Sequence, residues 1–152
     1  MIWLHNQIKY IIVFKYYVIF ILLCAEFELN AKMNIAILLC TKNGSSYIKD
    51  QLVSIAKQEF SEIDLYISDN NSNDGTREKI HAFIKENKNM NIFFNEGKDL
   101  HFAKNFVYLA QTIEKNYSYY AFCDQDDIWD ENHLSRALSI LNKQNSSIPL
   151  LY

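Results

Sequence analysis

The chain has 152 residues, of which 49% are hydrophobic and 22% charged: enough apolar material for one domain with its own core, and too much for a disordered segment. Fifteen Lys and Arg face eighteen Asp and Glu with both signs interspersed, so the net charge of −3 leaves no electrostatic footprint for nucleic acid. Cys24, Cys40 and Cys123 are widely separated, odd in number and without a C-x-x-C pair, which argues against a disulfide framework or a zinc knuckle and reads as buried thiols in a reducing compartment.

Residues 1–32 differ from the rest. The run from Ile8 to Ala25, IKYIIVFKYYVIFILLCA, is apolar and aromatic but interrupted by Lys9 and Lys15, and it is at the short end of the roughly 20 residues that span a bilayer. Three readings stay open. It is upstream sequence translated ahead of a true start at Met33, a marginal membrane anchor, or a secretory signal with a poor cleavage site at LCAEF. The first is preferred, because a clean strand pattern begins at Asn34, and residues 33–152 are then the domain proper.

From Met33 onward, strand and helix patterns alternate. Asn34 to Cys40, NIAILLC, is a continuous apolar run, as expected of a strand covered on both faces. Gly44, Ser45 and Ser46 break it and open a helix in which Ile48, Leu52, Ile55 and Ala56 share a face. Ile63 to Ser68 predicts a second strand ending in DNNSNDGT, followed by a helix with Ile80, Phe83 and Ile84 on one side. Asn91 to Asn95 predicts a third strand, Phe102 to Ile113 a third amphipathic helix, Tyr119 to Cys123 a fourth strand, and Glu131 to Lys143 a closing helix. Strict alternation implies βαβ units and an open, mostly parallel α/β sheet with flanking helices. In such a sheet ligands bind beyond the carboxyl ends of the strands, and three polar clusters fall there: TKNGSS, DNNSNDGT and DQDDIW.

In DQDDIW, Asp124, Asp126 and Asp127 are hard oxygen donors that suit Mg²⁺ or Mn²⁺ rather than zinc. The plain alternative is a solvated acidic turn with Asp130 capping the next helix. An EF-hand fits neither acidic cluster, because the required Gly and Glu positions are not met. DNNSNDGT reads as an Asx-rich turn and helix cap in which Asp69 or Asn70 is also placed to hydrogen-bond a nucleobase. TKNGSS lacks both the phosphate-loop and the dinucleotide glycine patterns. His5, His81, His101 and His133 share no metal spacing and read as surface or helix-face residues; Trp129 is as good a core residue as a substrate platform.

Four segments in order, IAILLCTKNGSSYIKDQLVSI, LYISDNNSNDGT, GKDLHFAKNF and YYAFCDQDDIWDENHL, resemble the nucleotide-binding half of a family 2 glycosyltransferase of GT-A fold. The form FCDQDDIW is similar to rhamnosyltransferase-like members that build bacterial surface polysaccharides. The resemblance implies that Thr41 and Asn43 line the nucleotide pocket and that Asp69, with Asn70 beside it, faces the base. It implies further that Asp124 holds the ribose side, that Asp126 and, beside it, Asp127 ligate Mn²⁺ or Mg²⁺, and that Lys104 and Asn105 position the donor or pack the helix beneath it. Two positions depart from the family pattern: Lys42 stands where an aromatic is usual, and Asn70 follows Asp69 where a second acid is usual.

The implied reaction is an inverting, metal-dependent transfer of a sugar from a dTDP- or UDP-linked donor to a saccharide or lipid-linked acceptor. The catalytic base is expected beyond residue 152, since the final IPLLY reads as a strand cut short and the chain as a truncated product with a donor site. Location is expected to be cytoplasmic, with attachment to the cytoplasmic face of the inner membrane if the first 32 residues anchor it. Two rivals remain at this point. A nucleotidyltransferase would show a Gly-rich basic signature after the first strand, which TKNGSS is not; a non-catalytic interaction module would show no metal-dependent nucleotide affinity.

Overall fold

The computed structural model describes residues 33–144, so the readings of residues 1–32 and of the closing IPLLY lie outside the described residues. Eight elements alternate: β1 (Ile35–Thr41), α1 (Ile48–Ala56), β2 (Ile63–Asp69), α2 (Thr76–Glu86), β3 (Asn91–Glu96), α3 (Phe102–Gln111), β4 (Tyr119–Asp124) and α4 (His133–Leu141). The strands form one parallel sheet in the order β3-β2-β1-β4. No helix among the described residues is long and apolar enough to cross a membrane.

The apolar run in β1 has the double-sided burial its composition predicts. Ile35, Ile37 and Leu39 enter the larger core with Ile48, Leu52 and Ile55 of α1, Ile80 and Phe83 of α2, and Leu134 and Leu138 of α4. Ala36, Leu38 and Cys40 face the other way, against Tyr66, Leu109 of α3 and Tyr117. Three helices thus cover one face and α3 the other. The strand order explains the division: β1 to β2 to β3 steps in one direction, and the return past β1 to β4 reverses it. A right-handed crossover then places its helix on the opposite face. The reversal between β1 and β4 is the switch point at which open sheets of this kind leave a crevice.

Every strand runs one residue further than its apolar pattern predicts, ending at Thr41, Asp69, Glu96 and Asp124. These polar residues still belong to the ladder, where Thr41 pairs with Asp69 and Cys40 with Asp124. Two helix starts also shift. α1 begins at Ile48 after a turn in which the Gly44 carbonyl accepts from both Tyr47 and Ile48. α4 begins at His133 with Asn132 as its cap residue, so Asp130 is not the N-cap; its carboxylate accepts instead from the Arg136 guanidinium at 3.1 Å. Trp129 takes the core role: it packs on the larger cluster, stacks on the His133 ring at 4.6 Å, and its backbone N–H donates to Ser54 Oγ.

Candidate functional site

The loops after β1 and β2 are held together by reciprocal side-chain to backbone hydrogen bonds. The Asn43 N–H donates to Ser72 Oγ and the Asn73 N–H to Asn43 Oδ1, at 2.8 and 3.0 Å. Gly44 N–H donates to Thr76 Oγ1 and Ser45 N–H to Asp74 Oδ2, both at 2.9 Å. DNNSNDGT is thus an Asx turn, with Asp74 Oδ1 accepting from the Thr76 N–H, and Gly75 at φ 91° supplies the left-handed residue before α2. Asn43 and Asn71 also sit at positive φ, at 50° and 64°, where Asn is among the better tolerated residues.

Asp69 lies at the centre of this zipper with no exposed surface. Its Oδ1 accepts from the Ser72 N–H at 3.0 Å and Arg77 Nε at 2.5 Å; its Oδ2 accepts from Thr41 Oγ1 at 2.8 Å and Ser72 Oγ at 2.5 Å. Burial pushes this carboxyl up, but the bonds from Ser72, Arg77 and Thr41 outweigh it and hold the group below the ordinary carboxylate range. Both carboxylate oxygens are engaged within the chain, and Asp69 does not reach the cavity described next.

That cavity, of about 490 Å³, opens at the carboxyl edge of the sheet. Cys40, Thr41 and Lys42 line it at the end of β1, Asn70 just past β2, Asp124, Gln125 and Asp126 at the end of β4, and Leu100, His101, Phe102 and Asn105 around the start of α3. Two amide side chains fix its walls. Gln125 Oε1 accepts from the Lys42 N–H at 2.9 Å while its Nε2 donates to the Lys42 carbonyl at 3.3 Å. Asn70 makes the same two-point bond to Leu100, accepting from its N–H at 2.8 Å and donating to its carbonyl at 2.5 Å. Gly97 completes the second wall, its N–H donating to the Asp69 carbonyl at 2.6 Å; a Cβ there would stand 2.7 Å from that oxygen.

Of the nine residues singled out from the sequence, Thr41, Asn70, Asn105, Asp124 and Asp126 share the cavity. Asn43 and Asp69 belong to the loop zipper beside it. Lys104 lies on the outer side of α3, in a shallow groove with Lys98, Val107 and Tyr108, and Asp127 is exposed and outside the lining. Asn105 is buried and accepts from Ser68 Oγ at 2.8 Å, which is a packing role as much as a ligand-facing one. Sequence reasoning missed Cys40, Lys42, Gln125, Leu100, His101 and Phe102 as lining residues. The hint for the last three was their place in GKDLHFAKNF, between β3 and the first turn of α3.

Asp124 differs from Asp69 in kind. Among the described residues its carboxylate receives no hydrogen bond, and burial, then the like charges of Asp127 and Asp126, push its pKa above the ordinary value. Uncompensated repulsion among hard oxygen donors fits a divalent cation of the Mg²⁺ or Mn²⁺ type. No three His, Cys, Asp or Glu side chains among the described residues converge as a complete metal cage. A cation held by Asp124 and Asp126 would therefore need oxygen ligands from elsewhere, as Mg²⁺ commonly draws from phosphates and water.

A parallel sheet with an acid-lined cleft at its reversal point defines an α/β domain of GT-A type. The fold is shared with the mannosyltransferase PcManGT from Pyrobaculum calidifontis, solved with GDP-Man and Mn²⁺, at a TM-score of 0.67 and 16% identity over 74% of this chain and 33% of that one. S. aureus TarS residues 1–349, solved with UDP, overlays at a TM-score of 0.60 and 23% identity over 73% of this chain and 32% of that one. The chain belongs to glycosyl transferase family 2, whose family model matches residues 36–150. It is 33% identical over 111 residues to the dTDP-rhamnosyl transferase RfbG of Shigella flexneri, covering 72% of this chain and 38% of RfbG. It is 30% identical over 115 residues to WfgD of Escherichia coli, a UDP-Glc:alpha-D-GlcNAc-diphosphoundecaprenol beta-1,3-glucosyltransferase, covering 74% of this chain and 43% of WfgD. The chain thus spans less than half the length of these two curated relatives.

Proposed function

We propose that this domain is the donor-binding half of an inverting, metal-dependent glycosyltransferase that uses a dTDP- or UDP-linked sugar in the synthesis of cell-surface polysaccharide. The observation that carries the reading is the pairing of Asp124, raised in pKa and without a hydrogen-bond donor among the described residues, with Asp126 in a cavity at the switch point of the sheet. Family membership and the printed activities of RfbG and WfgD supply the reaction class.

On this reading Asp124 and Asp126 hold Mn²⁺ or Mg²⁺, which when bound stabilises negative charge on a leaving diphosphate. The chain's own contribution is position. Gln125 and Asn70 clamp the two walls so that the pocket is formed before the donor arrives, which lowers the ordering cost of binding. Asp69 acts through Thr41 and the loop after β2, holding Thr41 at the mouth. A general base for the acceptor hydroxyl is not assigned among residues 33–144. The acceptor is proposed to be a saccharide or a lipid-linked saccharide, the latter supported by the diphosphoundecaprenol in the name of WfgD. Work on such an acceptor would place the chain in the cytoplasm, at the cytoplasmic face of the inner membrane.

The test is calorimetric titration of the 152-residue chain with UDP and with dTDP, with and without Mn²⁺. Binding that requires Mn²⁺ and is lost in Asp126→Asn is the expected result, and the two nucleotides are ranked by the same data. Folded protein that binds neither nucleotide, or binds equally without metal, would overturn the reading.

A further inference from the structure

Among the described residues that line the cavity with its two carboxylates, Lys42 is the one Lys or Arg. Its ammonium is 2.8 Å from Asp99 Oδ1, in a pair whose side chains are 52% and 64% exposed. The pair bridges the two walls of the mouth, since Lys42 follows β1 and Asp99 precedes α3. An ion pair this exposed is weak and readily exchanged. The backbone on either side is not free to follow such an exchange. Lys42 is clasped at both its N–H and its carbonyl by Gln125, and Asp99 adjoins Leu100, which Asn70 clasps in the same manner. Asp99 itself is held at φ 51°, a left-handed conformation that fixes where its carboxylate starts. What can move is the four-carbon stem of the lysine, a flexible carrier of a compact point charge.

We propose that Lys42 is a diphosphate-binding residue that Asp99 holds in reserve: on donor entry the ammonium leaves Asp99 and pairs with the diphosphate beside Asp124 and Asp126. This rests on the donor-site reading above. Two carboxylates with one bound divalent cation leave a doubly charged diphosphate unneutralised, and the lysine offsets one of those two charges from within the lining. Asp99 then acts as a competing anion, so its removal strengthens binding where a purely structural tie would weaken it.

The experiment is titration of the full chain with UDP in the presence of Mn²⁺, alongside uridine followed by ligand-detected NMR as a phosphate-free probe. Lys42→Met should weaken UDP about tenfold, the loss of one charged contact, and leave uridine unchanged. Lys42→Arg, which keeps the charge, should stay within about threefold of the unmodified chain. Asp99→Asn should tighten UDP about two- to fivefold, the scale of an exposed ion pair no longer competing. Thermal unfolding of each variant separates loss of fold from loss of contact. Unchanged UDP affinity in Lys42→Met, equal weakening of UDP and uridine, or weaker UDP binding in Asp99→Asn would each overturn the proposal while leaving the donor site standing. Binding of neither UDP nor dTDP by the unmodified chain would overturn the donor site and the lysine's role together.

Discussion

Asp69 and Asp124 occupy corresponding places, each the last residue of a strand that flanks β1, yet their surroundings are opposite. Asp69 is fully buried and accepts four hydrogen bonds, two of them from Ser72 and one each from Arg77 and Thr41. Asp124 lines the cavity, accepts none from the described residues, and faces two further acids. An acid whose charge is met inside the chain is scaffold, and its pKa falls. An acid whose charge is left unmet costs stability, and a chain that keeps it there is holding a place for something positive. The strand-end position alone does not distinguish the two; the donors around each carboxylate do.

The widest separation should come from removing Asp69. Asp69→Ala leaves the partly buried Arg77 guanidinium and the Thr41 and Ser72 donors without their acceptor, and breaking a buried pair costs about 3 kcal/mol. Urea unfolding of the chain measures this, and a loss below about 1 kcal/mol would show that the loop zipper does not depend on the acid. The pH profile gives the same comparison a sign. Because the folded pKa of Asp69 is lowered, its contribution is present above the unfolded carboxyl value, near 4, and is lost as pH falls through the folded value. Asp69→Asn should therefore lose less stability than the unmodified chain as pH falls below about 4.

Gly97 belongs to the Asp69 side of the contrast. A methyl group there meets the Asp69 carbonyl at 2.7 Å and the Asn70 Cα at 2.9 Å, both backbone atoms that cannot swing away. Gly97→Ala should cost about 2 kcal/mol by the usual scale of overpacking, read from the same unfolding curves. Asp124→Asn is expected to behave in the reverse manner. Stability in chelator-treated buffer should hold or rise, since one of three repelling charges is gone, while Mn²⁺-dependent nucleotide affinity falls about tenfold with the loss of one charged contact. A drop in stability comparable to that of Asp69→Ala would erase the distinction between the two acids.

Much of the fold was legible because its signals are local. The unbroken apolar run at Asn34 to Cys40 announces a strand buried on both faces, and the helices follow from the three- and four-residue spacing of Ile48, Leu52 and Ile55 and of Leu134, Ala137 and Leu138. The strands extend one residue past their apolar runs, since a polar side chain reads as loop while the backbone ladder pairs Thr41 with Asp69 regardless. The site was legible as a location and as acids, but not as a division of labour. Asp69 looks like a ligand-facing residue until Arg77, eight residues on, and Thr41, 28 residues back, are seen to bond it. Gln125 and Leu100 fall within the segments that carry the resemblance, but their roles were not legible there, because what matters at each is a side-chain-to-backbone bond across a long stretch of chain.

Asn70 is where the contrast can be sharpened most finely. The resemblance to family 2 leads one to expect an acid here, and the geometry explains why an amide serves. Its Oδ1 accepts from the Leu100 N–H and its Nδ2 donates to the Leu100 carbonyl, so one side chain satisfies both backbone groups of one residue. A carboxylate could keep the first bond but would set a negative oxygen against the carbonyl in place of the second. Asn70→Asp should therefore cost about 1 kcal/mol, the scale of one hydrogen bond. The loss should appear mainly as faster amide exchange at Leu100 and as weaker nucleotide binding, because the segment it clamps is a cavity wall and not part of the core. If exchange at Leu100 were unchanged and nucleotide affinity still fell, Asn70 would be reading the ligand directly; if both were unchanged, the wall would be held by Gly97 and the Lys42–Asp99 pair without it.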